Sequence, residues 1–275
     1  MTAPHPRKDG LIRIGIGGWT FEPWRNNFYP ADLPQKQELH YASRQVTAIE
    51  INSTYYGPQK PATFAKWRDD VPDDFVFSVK ALRYCTNRRV LAEAGESIER
   101  FVNGGLVELG NKLGPLVWQF APTKTFDPDD FEAFLKLLPA KVQGQALRHV
   151  LEVRHESFMN PDYLALARHY NAATVFTDSE KHPSFADLTA DFVYTRLMRS
   201  SPDIKTGYAP AALSTWAKRA ESWADGSEPD DLPRVEKKAG KSGKREVFIY
   251  FIDGAKEHAP AAAMTLLSKM AKTGK

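Results

Sequence analysis

Eight short apolar or β-branched runs alternate with segments that carry helical signals, and this alternation constrains the fold more than any other feature. Only the connection after the sixth run, SEKHPSFADLTA, is poor in helical signals. Eight strands alternating with helices predict an α/β fold, a single-domain (β/α)8 TIM barrel over residues 1–275. The alternative is a doubly wound open sheet. The runs are IRIGIGGW from Ile12, AIEINST from Ala48, FVFSVKA from Phe75, GPLVWQF from Gly114, HVLEVRH from His149, AATVFTD from Ala172, FVYTRLM from Phe192 and VFIYFID from Val247.

Two of the helices have clear start signals. Asp127 followed by Pro128, and Asn160 followed by Pro161, each combine an N-cap residue with a proline in the first helical turn. Helical spacing of apolar residues also predicts helices near residues 37–45, 63–69, 96–109, 211–223 and 260–270.

Polar residues occupy one face of several predicted strands near their C-terminal ends. A doubly wound sheet carries helices on both faces and would need both strand faces apolar. A single polar face instead favours a closed barrel whose inward side chains become polar near the mouth. The residues that share a face in this way are Glu50 with Asn52, Ser78 with Lys80, and Glu152 with Arg154.

Composition and charge place the chain among ordinary globular proteins. The net charge of +3 permits an anionic ligand but is weaker than that of a dedicated nucleic-acid binder. Cys85 is the single cysteine, which excludes a disulfide within one chain and a cysteine-based zinc site. No apolar run approaches the ~20 residues needed to span a bilayer, and the first residues lack an apolar signal region. The sequence therefore predicts a cytoplasmic protein with no membrane partner.

The segment 224–246 interrupts the alternation. It is acidic, then basic, and poor in apolar residues, which predicts a mobile charged loop before the last strand. It is either a plain solvated loop or a loop that holds an anion. Its basic residues are Arg234, Lys237, Lys238, Lys241, Lys244 and Arg245.

Polar residues at the strand ends are the candidate functional groups, because barrel enzymes build their active sites at the C-terminal ends of the strands. Glu50, Glu152 and His155 are the candidate catalytic residues. The alternative is a buried charge network that only fills the barrel, which is costly unless every charge is paired. The candidate substrate-binding residues are Trp19, Asn52, Tyr55, Lys80, Gln119, Arg154, Asp178, Arg196 and Asp253.

A divalent metal ion is one cofactor that these residues allow. Carboxylates supply the oxygen ligands that Mg or Mn prefers, and His155 could add a nitrogen ligand. The strand ends carry too few histidines for a zinc cluster. The candidate carboxylates are Glu50, Glu152, Asp178 and Asp253.

Aromatic residues crowd the loop after the first strand. They predict either a hydrophobic mini-core that covers the barrel or a stacking wall for a planar or sugar-like ligand. Tyr55 and Tyr56 follow the second strand and extend the same pattern. The loop residues are Trp19, Phe21, Trp24, Phe28 and Tyr29.

Six motifs in this order resemble the YecE-like family, domain of unknown function 72, whose members are similar to TIM barrels. The resemblance implies a (β/α)8 barrel and no particular reaction. The motifs are GIGGWTFEPWRNNFYP from Gly15, EINSTYY from Glu50, FVFSVKA from Phe75, LGPLVWQFAP from Leu113, EVRHESF from Glu152 and IYFID from Ile249.

The chain departs from that family pattern at three places. Met198 and Arg199 stand where members commonly have histidine and glycine, and Asn87 stands where a histidine commonly follows threonine. Ile252 and Asp253 replace a usual pair of asparagines. A mechanism that requires those histidines is therefore not expected here.

Three functions fit the candidate residues. The first is an enzyme of hydrolase or phosphoesterase type that acts on a phosphorylated or nucleic-acid-derived anion. In it, the cations Lys80, Arg154 and Arg196 bind the anion, Glu152 or Glu50 is the general base, and His155 donates a proton. The second is a non-catalytic anion-binding or regulatory barrel, and the third is a sugar isomerase. The expected partner is a small anionic ligand or a nucleic-acid fragment.

Overall fold

The computed structural model describes residues 11–236 and 243–273, and eight parallel strands in this part of the chain close into a barrel. The barrel strands are β1 (Ile12–Gly17), β2 (Ala48–Ile51), β3 (Val76–Lys80), β4 (Leu113–Gln119), β7 (His149–Glu152), β8 (Ala173–Thr177), β9 (Phe192–Leu197) and β10 (Glu246–Phe251). Neighbouring strands follow the order β1, β10, β9, β8, β7, β4, β3, β2 and back to β1. All eight predicted strands are present, and the (β/α)8 single-domain fold is confirmed.

Helices follow most of the strands and cover the outside of the barrel. Asp127 accepts hydrogen bonds from the backbone of Asp129 and Asp130, and Asn160 accepts one from Asp162, so both predicted N-caps are confirmed. The connection between β8 and β9 contains no helix, as predicted. The helices are α1 (Glu38–Ala42), α2 (Pro61–Asp70), α3 (Arg83–Thr86), α4 (Gly95–Val102), α5 (Pro128–Leu137), α6 (Pro161–His169), α7 (Pro210–Ala224) and α8 (Ala259–Thr273).

A small hairpin before β7 was not expected from the sequence. Strands β5 (Lys141–Val142) and β6 (Gln145–Ala146) pair antiparallel. Gln143 and Gly144, the two residues between them, both have positive φ, which is the geometry of a tight type I′ hairpin turn.

The inward side chains form their own apolar cluster, separate from the core between strands and helices. Tyr194, Phe248 and Tyr250 are its largest members, and their rings contact one another. Ile49 and Phe77, at alternate strand positions, belong instead to the outer core. The alternation predicted from the sequence is therefore confirmed. The inner cluster consists of Ala48, Val76, Val117, Val150, Ala173, Val175, Phe192, Tyr194, Phe248 and Tyr250.

Gly15 permits the close approach of β1 to β2. A Cβ atom at this position would lie 2.1 Å from the carbonyl oxygen of Ala48, so no larger residue fits without a backbone shift.

The aromatic loop after β1 forms a hydrophobic mini-core. Trp24, Phe28 and Tyr29 are buried and pack against one another and against Tyr41. Trp19 packs edge to face on Trp67. Because these rings pack against one another, they favour a mini-core that covers the barrel over a wall on which a ligand stacks.

The charged segment 224–246 lies partly outside the described residues. Arg234 pairs with Glu228, and the guanidinium of Arg245 donates to the carbonyl of Ser227. Lys237, Lys238 and Lys241 fall outside the described residues, so the mobility of this segment stays a prediction. Within residues 11–236 and 243–273, no helix is long and apolar enough to cross a bilayer.

Candidate functional site

Arg196 is the centre of a buried charge network at the C-terminal end of the barrel. It lies on β9 and is 2% exposed. Its Nε and Nη2 donate to the two carboxylate oxygens of Glu50 on β2, at 3.0 and 2.9 Å. Its Nη1 donates to Oε1 of Glu152 on β7 at 2.5 Å. The hydroxyl of Tyr194 also donates to Glu50, at 2.8 Å. Each guanidinium nitrogen of Arg196 therefore has a carboxylate partner.

Arg154 extends this network toward the surface. It lies two residues beyond Glu152, and its Nε and Nη2 donate to Glu152 Oε1 at 3.1 and 2.8 Å. Nη2 also donates to the side-chain oxygen of Gln119 at 2.9 Å. Unlike Arg196, Arg154 is only partly buried. One edge of this guanidinium is thus available to a ligand.

Glu152 stays ionised although it is buried. Burial opposes its charge, but the positive charges of Arg196, Arg154 and Lys80 outweigh that effect and lower its pKa to about 2. Both arginines use the same oxygen, Oε1. The other oxygen, Oε2, is buried and has no hydrogen-bond partner within residues 11–236 and 243–273.

Lys80 brings an amine to the same end of the barrel. It is the last residue of β3, is 8% exposed, and lies with Nζ 4.6 Å from the centroid of the Tyr55 ring. Burial, reinforced by the charge of Arg196, lowers its pKa to about 8. Among the described residues, Nζ has no hydrogen bond or ion pair. A lysine in this state is a candidate ligand-binding or reactive group.

A cavity of about 390 Å³ opens over these residues. It receives side chains from the ends of several strands and the loops after them, which is the usual site of function in this fold. Seven of the predicted site residues line it, and Glu50 and Glu152 are bonded to the arginines that do. The lining residues are Gly17, Asn52, Tyr55, Tyr56, Lys80, Gln119, Arg154, His182, Arg196, Met198, Ile252, Asp253 and Lys256.

Of the lining residues that were not among the predicted site residues, two carry basic side chains, His182 and Lys256. His182 lies in the helix-poor connection after β8, and its Nδ1 is buried with no hydrogen-bond partner in the described part of the chain. Burial, followed by the nearby charge of Arg154, lowers its pKa, so the imidazole is neutral at pH 7. Both residues lie in loops that follow strand C-termini, and this position was the available signal.

Three other predicted site residues neither line the cavity nor bond to the arginines that line it. The imidazole Nδ1 of His155 accepts a hydrogen bond from the backbone of Ser157 and caps the short turn there. Asp178 accepts hydrogen bonds from the Met198 backbone and the Tyr208 hydroxyl, so it holds a loop in place. Trp19 belongs to the aromatic packing described above. These contacts give each residue a structural role.

The candidate metal ligands do not converge. In the described ranges, no group of three or more histidine, cysteine, aspartate or glutamate side chains is close enough to hold an ion. Glu50 and Glu152 are bonded to Arg196, and Asp178 is bonded to its own loop. A single Mg or Mn ion therefore stays a prediction.

Cys85 is placed as a structural thiol. It is fully buried on α3, and burial raises the pKa of the thiol to about 12. A thiol of this kind is protonated at neutral pH and does not serve as a nucleophile.

Comparisons with known proteins agree with this fold. The UPF0759 protein YunF of Bacillus subtilis (strain 168) is 25% identical over 158 residues, which is 56% of this chain and 54% of YunF. The UPF0759 protein YecE of Escherichia coli (strain K12) is 27% identical over 151 residues, which is 54% of this chain and 50% of YecE. The matched segment thus spans about half the length of these curated relatives.

A solved structure and a family model extend the match to almost the whole chain. The crystal structure of a DUF72 family protein from Thermotoga maritima superposes with a TM-score of 0.69 at 19% identity, covering 95% of this chain and 99% of that one. Residues 13–275 match the family model described as "Protein of unknown function DUF72". The chain therefore belongs to the DUF72 family, in agreement with its resemblance to the YecE-like proteins.

Proposed function

We propose that this chain is an enzyme that acts on a small anionic substrate, phosphorylated or nucleic-acid-derived, in the cavity at the C-terminal mouth of the barrel. The observation that carries the proposal is that Lys80, Arg154 and Lys256 all line one cavity of about 390 Å³. Their positive charges favour an anion, and partial exclusion of water strengthens that attraction. The predicted reaction is of hydrolase or phosphoesterase type, and the predicted location is the cytoplasm.

The cations have different roles in this proposal. Arg154 keeps one edge of its guanidinium toward the cavity and supplies hydrogen bonds to the anionic group together with Lys256. Lys80 supplies an amine beside them. Arg196 is fully engaged by Glu50 and Glu152, and its role is to fix the two carboxylates and, through Glu152, the guanidinium of Arg154.

Proton transfer is assigned to His182 and Glu152. His182 lines the cavity as a neutral imidazole, so it can accept a proton from a bound substrate and then return it. Glu152 is ionised, and its Oε2 has no hydrogen-bond partner in the described part of the chain, although its low pKa makes it a weak base. His182 thus takes the part that the sequence suggested for His155.

One observation favours the second candidate, an anion-binding or regulatory barrel without turnover. Both oxygens of Glu50 and one oxygen of Glu152 are used by arginines, which is the self-paired arrangement expected of a non-catalytic site. The two candidates share the anion site and differ in whether the ligand is changed. Incubation of a bound phosphate ester, followed by product analysis, separates them.

Calorimetric titration with inorganic phosphate tests the site itself. Replacing Arg154 with alanine removes the accessible guanidinium and is expected to weaken phosphate binding by about tenfold or more, which corresponds to about 1.4 kcal/mol. Arg219→Ala is the matched control, because Arg219 lies on α7 and pairs with Asp231 outside the cavity. Equal affinity of the two variants for phosphate would overturn the proposal.

A nucleotide substrate can be told apart from a plain phosphate ester at Tyr56. This tyrosine lines the cavity and is 71% exposed, so its ring is available to stack on a base. For a nucleic-acid-derived substrate, Tyr56→Ala weakens binding of a nucleoside monophosphate and leaves binding of inorganic phosphate unchanged. Equal effects on both ligands indicate a substrate without a stacked base.

A further inference from the structure

Two buried lysines in this chain differ in how their amines are satisfied. Lys112 is 6% exposed, and its Nζ donates to the carbonyl oxygens of Arg68 and Val71 at 2.7 and 2.8 Å. Lys80 is 8% exposed, yet its Nζ has no hydrogen bond or ion pair within residues 11–236 and 243–273. A buried ammonium normally requires such partners. Lys112 is therefore a structural lysine, and Lys80 is available to a ligand.

The groups around Lys80 favour the neutral amine. Burial has the largest effect, and the positive charges of Arg196 and Arg154 add to it, while Glu152 and Glu50 oppose it. With a pKa of about 8, on the order of a tenth of the Lys80 side chains carry a neutral amine at pH 7. The ring of Tyr55 covers one side of the amine. A neutral, partly desolvated lysine amine is the form that attacks carbonyl carbons.

We propose that Lys80 forms an imine with the carbonyl carbon of an aldehyde or ketone that also carries a phosphate or carboxylate group. The proposal rests on the proposed function, because Arg154 and Lys256 must bind the anionic group in the same cavity. It narrows the substrate class from anions in general to carbonyl-bearing anions. The geometry that supports it is the amine at the end of β3, which has no hydrogen bond or ion pair among the described residues. This amine faces a cavity of about 390 Å³ that Arg154 and Lys256 also line.

The imine step is balanced without an oxidant or reductant. The lone pair of Lys80 Nζ adds to the carbonyl carbon, and the π electron pair of the C=O bond moves to the oxygen, which takes up a proton. The nitrogen then loses one proton, a second proton reaches the hydroxyl group, and water leaves as the C=N bond of the protonated imine forms. Loss of the remaining N–H proton gives the neutral imine. His182 lines the cavity as a neutral imidazole and is the group that we assign to these proton transfers.

Borohydride trapping tests the proposal on the full chain. The probes are pyridoxal 5′-phosphate and glyoxylate, a large and a small aldehyde that each carry an anionic group. We expect sodium borohydride to fix one reduced adduct of each probe per chain, and peptide mapping to place it on Lys80. Lys80→Met is expected to lose the adduct. Lys136→Met is the matched control, since Lys136 is an exposed lysine on α5, and it is expected to label as the wild type does.

The outcomes separate the imine from the anion site. Excess inorganic phosphate is expected to slow labelling of Lys80. Labelling of Lys80 that phosphate does not slow would keep the imine and overturn the anion site. Binding of the probe that phosphate weakens, without any reduced adduct on Lys80, would overturn the imine and keep the anion site. An adduct mainly on Lys256 or on surface lysines would also overturn the imine.

The pH dependence provides a further readout. The rate of labelling at Lys80 should rise with pH and level off above a midpoint near 8, whereas an ordinary exposed lysine has its midpoint near 10.5. If the labelling rate at Lys80 instead had the midpoint of an ordinary exposed lysine, the amine would be an ordinary one and the proposal would be overturned.

Discussion

Arg196 and Glu50 are joined by two parallel hydrogen bonds across the inside of the barrel, at 3.0 and 2.9 Å, although 146 positions separate them in the sequence. Glu50 is fully buried. A two-point contact of this kind fixes both side chains and ties β2 to β9, which are not neighbours in the sheet. The pair is therefore a support across the barrel, and Arg196 also lines the cavity.

Replacing Glu50 with glutamine is expected to lower the free energy of unfolding by about 3 kcal/mol or more, because a buried guanidinium loses part of its counter-charge. Urea melts of the variant and the wild type measure the loss. Glu132→Gln is the control, since Glu132 forms an exposed helical pair with Lys136 and its replacement should cost far less stability than that of Glu50. Similar losses in the two variants would contradict the support role.

Replacing Glu152 with glutamine is expected to cost about 3 kcal/mol near neutral pH, because two arginines donate to one of its oxygens. A loss of stability under about 1 kcal/mol would instead indicate that Glu152 and Arg154 are exposed to water at the mouth of the barrel. The folded-state pKa of about 2 lies below the ordinary 4.5, so the stabilisation is complete above about pH 4.5. It disappears as the pH falls toward 2. The difference between wild type and Glu152→Gln in urea melts should therefore narrow over that range.

Replacing Lys80 with methionine is expected to stabilise the fold at pH 7 by about 1 to 3 kcal/mol. The folded-state pKa of about 8 lies below the ordinary 10.5, so the protonated amine destabilises the folded state at neutral pH. The gain should shrink as the pH rises from 8 to 10.5.

Lys112→Met is the matched control for this prediction and should have the opposite sign. Lys112 donates to two backbone carbonyls, and methionine would leave them without that partner, at a cost of about 1 to 3 kcal/mol. Denaturant melts at pH 7 and at about pH 10 compare the two variants. A destabilised Lys80→Met would show that the amine of Lys80 serves the fold.

Cys85 is expected to resist modification in the folded protein. It is buried, and its pKa of about 12 leaves almost no thiolate near pH 8. Titration with a chromogenic disulfide reagent should detect no thiol in the native chain and one thiol after denaturation. Rapid reaction of the native protein would contradict the structural assignment of this residue.

The strand pattern of the barrel could be predicted from the sequence, because the alternation of side chains between the two faces of a strand is a local property. Glu50, Lys80 and Glu152 stand at alternate positions to apolar neighbours, and the structure places all three on the inner side. The N-caps at Asp127 and Asn160 are equally local, since each side chain bonds to backbone only two or three residues away.

Roles at the mouth could not be assigned from the sequence alone, because they depend on contacts with distant residues. His155 looked like a proton donor because it follows Arg154 at the end of a strand, yet it caps its own turn. His182 was not among the predicted site residues, yet the connection after β8 brings it to the cavity wall. The sequence around either histidine contains no signal that separates these two outcomes.

The sequence by itself determined the (β/α)8 barrel, the inward face of three of its strands and the end of the barrel at which the polar residues gather. Only the tertiary structure decided which charges pair: Arg196 is neutralised by Glu50 and Glu152, whereas Lys80 keeps an unpartnered amine among the described residues. The physical reason is the separation along the sequence of the residues that determine each property. Alternation along a strand depends on adjacent residues, but the partner of an inward charge depends on how eight strands are staggered when the barrel closes.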